Sequence, residues 1–216
     1  IDFSSRPEVL YEDEAILCLN KPHGISSAPL PNRNSENMVE WALQFWPTLP
    51  VQEDRAREPG LIHRLDRDTS GVLVFGKTQE ACRHLRSHWS GPLVHKIYRA
   101  LVQKRDDARS ITPTPFTIRN PLARSHKSSK RMTLFNPLHT FSKRHRKGPA
   151  LPAQTIILNQ TATPDPNVLD LEIRITTGVM HQIRCHLEHF GYPLVGDTIY
   201  HGPASTRLWL HASSVT

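Results

Sequence analysis

The chain has 216 residues, 38% of them hydrophobic, enough to bury a core as one domain or as two lobes sharing a sheet and too many for a chain disordered throughout. Its longest apolar run, Ala15 to Leu19, falls far short of the roughly 20 residues that a membrane helix needs, so a soluble protein without membrane contact is expected. The net charge of +7 is concentrated: between Ala108 and Pro164 there is no Asp or Glu but ten Lys and Arg, leaving 17 basic against 20 acidic residues elsewhere. Such a one-sign block repels itself unless it meets a polyanion, which makes nucleic acid the natural partner.

Cys18, Cys82 and Cys185 are widely scattered, unlike a disulfide framework, and predict a reducing compartment, the cytoplasm. The chain opens IDFSSRPEVL, with neither an initiator Met nor a basic-then-apolar leader; Ile1 is therefore read as an internal start with no secretion signal.

Glu8 to Asn20 reads as a short strand running into NKPHGISS, where Pro22 and Gly24 force a turn beside Lys21. Glu36 to Trp46 spaces Met38, Trp41, Ala42 and Phe45 as a core helix ended by Pro47. The stretch HRLDRDTSGVLVF, residues 63 to 75, then crowds His63, Arg64, Asp66, Arg67 and Asp68 into six positions before Val72 to Phe75 read as a buried strand. An Asp among arginines keeps its ionised form, so Asp66 is either a candidate nucleophile or part of a salt-bridged turn.

Gln79 to Trp89 reads as a second amphipathic helix, with Leu85 and Trp89 on one stripe. Val94 to Val102 alternates as a strand that puts Tyr98 and Lys96 on one face, and the prolines from Pro113 to Pro166 divide the basic stretch into loops and short strands. Val168 to Ile175 is the clearest half-buried strand, with Leu169, Leu171, Ile173 and Ile175 inward. Thr177 and Gly178 open a helix over 179 to 190 whose buried stripe is Val179, Ile183, Leu187 and Phe190, with Gly191 as cap. Arg184, about 100° round from Ile183, is placed at the stripe's edge, facing a neighbouring loop. RLWLHA at the end alternates as a last strand, and the mixed order of strands and helices gives an α+β fold.

Seven separated strings together resemble the RluA-type pseudouridine synthases: NKPHG at 20 to 24, HRLDRDTSG at 63 to 71, KIY at 96 to 98, KRM at 130 to 132, HQIRCH at 181 to 186, GDTIY at 196 to 200 and LHA at 210 to 212. The resemblance covers most of the chain and implies a single catalytic domain over 1 to 216, incomplete at both ends. Its architecture would be a central, mostly antiparallel mixed sheet flanked by helices and loops, with the active-site cleft across it. It implies isomerisation of uridine in ribosomal or transfer RNA, by a monomer needing no cofactor and no metal. Asp66 matches the family's catalytic aspartate, Tyr98 the tyrosine that packs on the target base, and Arg184 the arginine paired with that aspartate. Arg64 matches a residue that fills the space a departing uridine leaves, Thr69 belongs to the same substrate-binding turn, and Ile183 and Leu210 match apolar lining of the pocket. Lys130, Arg131, Lys143, Arg144, Arg146 and Lys147 are the basic residues expected to hold RNA. The chain departs from the family pattern at Val179, where a basic residue is usual, and in lacking a small RNA-binding domain ahead of the catalytic one.

Other readings of the same residues are weaker. DTSG at 68 to 71 suggests an aspartic protease, but Arg64 and Arg67 oppose the shared proton which that chemistry needs. DRDT at 66 to 69 lacks the apolar run that would precede a magnesium-binding phosphatase site. His181, Cys185 and His189 share a helical ridge without a fourth metal ligand. An RNA-binding protein with the same fold and no turnover is the serious rival, and an intact set of Asp66, Tyr98 and Arg184 weighs against it.

Overall fold

A computed structural model describes residues 3–30, 36–91, 93–126, 128, 130–135 and 146–216, with the side chains of 146 and 147 left aside. The chain divides into two compact units, Ile1–Val94 with Ala212–Val215, and His95–His211 with Thr216. No helix among the described residues is long and apolar enough to cross a membrane.

In the first unit, Glu8 to Asn20 forms two strands where one was expected. Asp13 breaks it: Oδ1 accepts the Ala15 and Ile16 N–H groups at 2.7 and 2.6 Å, turning β1 (Val9–Glu12) back antiparallel onto β2 (Ile16–Lys21). Helix α1 (Met38–Phe45) starts where Asn37 Oδ1 accepts the Glu40 N–H at 3.1 Å, and buries Met38, Val39, Trp41 and Ala42. Strand β3 (Ser70–Gly76) pairs antiparallel with β2 and is buried along nearly its whole length, as its apolar run predicts. Helix α2 (Gln79–His88), capped by Thr78, sets Cys82, Leu85 and Trp89 against Ile62 and Val74.

In the second unit, β4 (Lys96–Gln103), β10 (Val168–Ile175), β9 (Thr155–Ala162) and β5 (Phe116–Ile118) pair antiparallel in that order. A smaller sheet is built from β7 (Met132–Leu134), β6 (Leu122–Ser125) and β8 (Arg146–Leu151). The basic stretch therefore does break into short strands, except at β9, where TIIL carries an eight-residue strand that its prolines and polar flanks concealed. Leu171, Ile173 and Ile175 of β10 point inward as expected, while Leu169 near its start is only half-buried.

Helix α3 is shorter than its sequence pattern, spanning Gln182–His189. His181 has left-handed backbone (φ 53), so the helical path cannot run back through it; the Val179 N–H and the Thr177 hydroxyl instead donate to Gln182 Oε1. Nor does it bury one stripe: Gln182 to Leu187 are all buried, Arg184 among them. The final strand, β11, spans Leu210–Val215. Helices together with antiparallel strands make the fold α+β, as expected.

Candidate active site

Asp66 stands at the start of a tight turn, its carbonyl accepting the Thr69 N–H at 3.1 Å, and is half-buried between a buried Leu65 and an exposed Arg67. Both neighbours are tied to the NKPHGISS loop. Leu65 exchanges two hydrogen bonds with Ser27: its N–H donates to Oγ, and Oγ donates to its carbonyl, both at 2.9 Å. On the other side, the Arg67 carbonyl accepts from Lys21 Nζ at 2.9 Å, and Arg67 Nε donates to the Gly24 carbonyl at 2.8 Å. Lys21 is fully buried at 0% exposure and also donates to the carbonyls of Pro22 and Ile25. A buried ammonium is tolerated only when its donors are satisfied, so this residue fastens the turn and the loop as one piece.

The turn's far end is fixed by packing. Gly71 has φ +116, and a Cβ there would lie 2.1 Å from the Ala212 carbonyl oxygen, so β3 can begin here only with glycine. Thr69 is 2% exposed and its Oγ1 is buried without a hydrogen-bond partner among the described residues. His63 stacks on Trp89 with ring centroids 4.4 Å apart, and its Nε2 accepts the Val74 N–H. Arg64 is exposed and bonds the buried Glu58 carboxylate, whose other oxygen faces Arg55 at 3.5 Å.

In the second unit, Tyr98 lies opposite Ile173 on the buried face of β4 and is 8% exposed. Lys96 shares that face at 3% exposure, and burial pushes its ammonium pKa down. Arg184 does reach a neighbouring loop, but from within the core: it is 4% exposed, with Nε 2.7 Å and Nη2 2.9 Å from the two oxygens of Asp197. Burial alone would raise the Asp197 carboxyl, but the Arg184 guanidinium and the N–H groups of Tyr200 and Ile199 outweigh it and hold the pKa below the usual value. Gly196 permits this, because its φ is +81 and a Cβ would fall 1.8 Å from the Arg207 carbonyl oxygen. Sequence reasoning missed Asp197, which stands in the GDTIY string. A glycine-then-aspartate turn able to cap the next N–H groups is the signal that could have found it.

His186 and Cys185 of HQIRCH are buried too. His186 is fully buried; its Nε2 faces the Asn120 carbonyl at 2.8 Å and must donate there, leaving Nδ1 to accept from Thr155 Oγ1 at 2.9 Å. Burial drives its pKa down to about 4, against the opposing Asn120 carbonyl. Burial likewise pushes the Cys185 thiol up to about 12. His181 Nδ1 meets the Tyr200 hydroxyl at 3.2 Å, and His189 Nε2 meets Arg109 Nη1 at 3.3 Å.

Ile183 and Leu210 are each 4% exposed. Lys130 is exposed, and Arg131 lies over the Tyr200 ring at 5.1 Å with Nη1 3.2 Å from His201 Nε2. Arg146 and Lys147 lie on β8 opposite Ser125 and Arg124, while Lys143 and Arg144 lie outside the described residues. Val179 lines a groove of about 540 Å³ with Arg124, Met132, Pro149, Leu151 and Met180.

Residues 15–189 match the family model for RNA pseudouridylate synthases. An uncharacterised RNA pseudouridine synthase of Chloroflexus aurantiacus is 35% identical over 88% of this chain and 53% of its own length. The ribosomal large subunit pseudouridine synthase D of Pseudomonas aeruginosa is 30% identical over 90% of this chain and 53% of its own. The chain thus spans about half the length of these relatives, and 76% of the dual-specificity RNA pseudouridine synthase RluA of Vibrio vulnificus, at 30% identity over 97% of this chain. Among solved structures, human RNA pseudouridylate synthase domain containing 1 shares the fold, with a TM-score of 0.71 at 21% identity over all of this chain and 79% of that one. With the matched segment covering most of the sequence and the HRLDRDTSG turn inside it, the chain belongs to the RNA pseudouridylate synthase family.

Proposed function

We propose that this chain isomerises specific uridines in ribosomal or transfer RNA to pseudouridine, with Asp66 as the catalytic carboxylate. The observation that carries the reading is the clamp on Asp66: both its neighbours are held to the Lys21–Ser27 loop, while the carboxylate's own residue stays half-exposed on an otherwise rigid turn. A solvated surface turn has no need of a buried lysine; a reacting group has, because its position must be fixed before substrate arrives. The name of the Pseudomonas aeruginosa relative, a ribosomal large subunit pseudouridine synthase, supports ribosomal RNA as the substrate class.

The reaction breaks the bond between ribose C1′ and uracil N1, turns the base over, and joins C1′ to C5; the proton leaving C5 is balanced by one gained at N1. Redox change is not involved, and a carboxylate suffices to begin it, by attack on sugar or base or by removing a ribose proton. Arg184 is proposed as the charge partner of Asp66, and Tyr98 as the ring on which the extruded base stacks. Ile183, Leu210 and Thr69 would line the base's pocket, and Lys130, Arg131 and the basic residues from 143 to 147 would hold phosphates. The chain is proposed to act as a single catalytic domain and a monomer in the cytoplasm.

The test is carbodiimide mapping of pseudouridine in cellular RNA with and without the gene, followed by complementation with Asp66→Asn. Sites that vanish on deletion return with the wild-type gene and stay absent with the variant. Restoration by Asp66→Asn would refute the assignment.

A further inference from the structure

Glu58 lies at the approach to the Asp66 turn and has no part in the chemistry above. The residue is 7% exposed, and its two carboxylate oxygens are divided between guanidiniums, Oε1 accepting from Arg64 Nη2 and Oε2 facing Arg55 Nη1 at 3.5 Å. Its backbone is fixed too: the N–H donates to the Arg55 carbonyl at 2.8 Å and the carbonyl accepts from the Leu61 N–H at 3.2 Å. Burial and the Arg55 contact hold the carboxylate itself in place. Arg64 is the opposite case, with 62% of its side chain exposed two residues before Asp66. A long, free arginine at an RNA surface would take the nearest phosphate. Here one edge of the guanidinium is held by a buried anion that offsets its charge, and the remainder faces solvent as a flat, weakly hydrated surface of the kind that stacks on bases.

We propose that Glu58 is a positioning residue that holds Arg64 as a fixed, partly neutralised plate for an RNA base beside the target uridine, and keeps it from acting as a phosphate anchor. The proposal rests on reading the Asp66 turn as the catalytic site of an RNA enzyme. Pseudouridine formation by the wild-type protein on cellular RNA is therefore established first, so that failure of that reading shows separately.

The probe is a short RNA hairpin with a uridine-rich loop, carrying 2-aminopurine beside one uridine and a fluorophore at one end. Glu58→Gln keeps the side chain's size and removes its charge. The freed Arg64 then takes a phosphate, so the salt dependence of hairpin binding steepens by about 0.7–0.9 in log–log slope. The stacking signal of 2-aminopurine weakens, and the rate of pseudouridine formation falls about five- to tenfold as Arg64 becomes a mobile side chain that must be ordered on binding. In an Arg64→Ala background, Glu58→Gln leaves the slope unchanged. A purely structural Glu58 would lower the unfolding temperature and leave the wild-type slope in place, which overturns the proposal, as does steepening that persists without Arg64. Should Glu58→Gln fail to fold, Arg64→Ala alone decides: the proposal expects the wild-type slope, and a slope shallower by about 0.7–0.9 overturns it.

Discussion

Replacing Arg184 by alanine is expected to destabilise the protein as well as to disable it. The side chains of Arg184 and Asp197 are 5% and 0% exposed, and the guanidinium donates two hydrogen bonds to the Asp197 carboxylate, beside those from the Ile199 and Tyr200 N–H groups. Removing one partner of such a pair leaves an uncompensated buried charge, at a cost of about 3–5 kcal/mol. In the wild type the carboxyl pKa is depressed, so its contribution is present above the unfolded value of about 3.9 and is lost as pH falls through the folded value. In Arg184→Ala the order reverses: the lone carboxylate prefers its proton, so the penalty is largest near neutrality and shrinks toward acid. Arg184→Met with Asp197→Asn, which keeps an acceptor for Ile199 and Tyr200 without a charge, should recover most of the loss and show positive coupling in a double-mutant cycle. Urea unfolding of the wild type, Arg184→Ala, the single variants Arg184→Met and Asp197→Asn and the double variant, at neutral and acid pH, measures all of this. Wild-type stability for Arg184→Ala, or a loss that the double variant fails to recover, refutes the reasoning.

His186 should make the fold acid-sensitive. Its folded pKa of about 4 lies below the unfolded value of about 6.5, so stability is complete above 6.5 and falls toward pH 4 by about 3 kcal/mol in all, a loss that His186→Gln should remove from denaturation curves. Gly71→Ala should leave little folded protein in circular dichroism, because backbone at Ala212 stands 2.1 Å from the new carbon and the clash exceeds the about 4 kcal/mol of an ordinary severe substitution. Lys21→Met leaves the carbonyls of Pro22, Ile25 and Arg67 without their ammonium, at about 1–3 kcal/mol for each one left unsatisfied, and should slow pseudouridine formation in protein that calorimetry shows to be folded. Neutralising Lys143, Arg144, Arg146 and Lys147 should weaken RNA binding and flatten its salt dependence by about 0.7–0.9 for each phosphate that is no longer neutralised, with turnover at saturating RNA retained; unchanged binding at every salt concentration would mark the stretch as a solvated segment.

What was legible in the sequence was whatever a single period or a single cap decides. Val72 to Phe75 reads as a buried strand, the helical spacings over 36–46 and 79–89 mark two helices, and Gly191, at φ +88, follows the end of the third. What stayed hidden depended on partners distant in sequence. Nothing near Lys21 says that its ammonium will be buried under Arg67, 46 residues on, and nothing near Arg184 says that Asp197 will meet it. The α3 pattern misled for a related reason: His186 and Gln182 look like an exposed polar face until Thr155, Gln154 and Asn120 supply their bonds. Asp66 became prominent through resemblance, since its residue types alone fit a salt-bridged turn better.

The burial of α3 bears on how such chains are recognised. Gln182 and His186 of the HQIRCH string have partners that any copy of this fold must satisfy whether or not it turns over RNA, and Arg184 carries a buried ion pair besides whatever it does for Asp66. A descendant that had lost the carboxylate at position 66 would still need these residues to fold. Under the role proposed for Asp66, motif searches weighted on this string would gather inactive RNA-binding descendants together with enzymes, and residue 66 is where the two populations would separate.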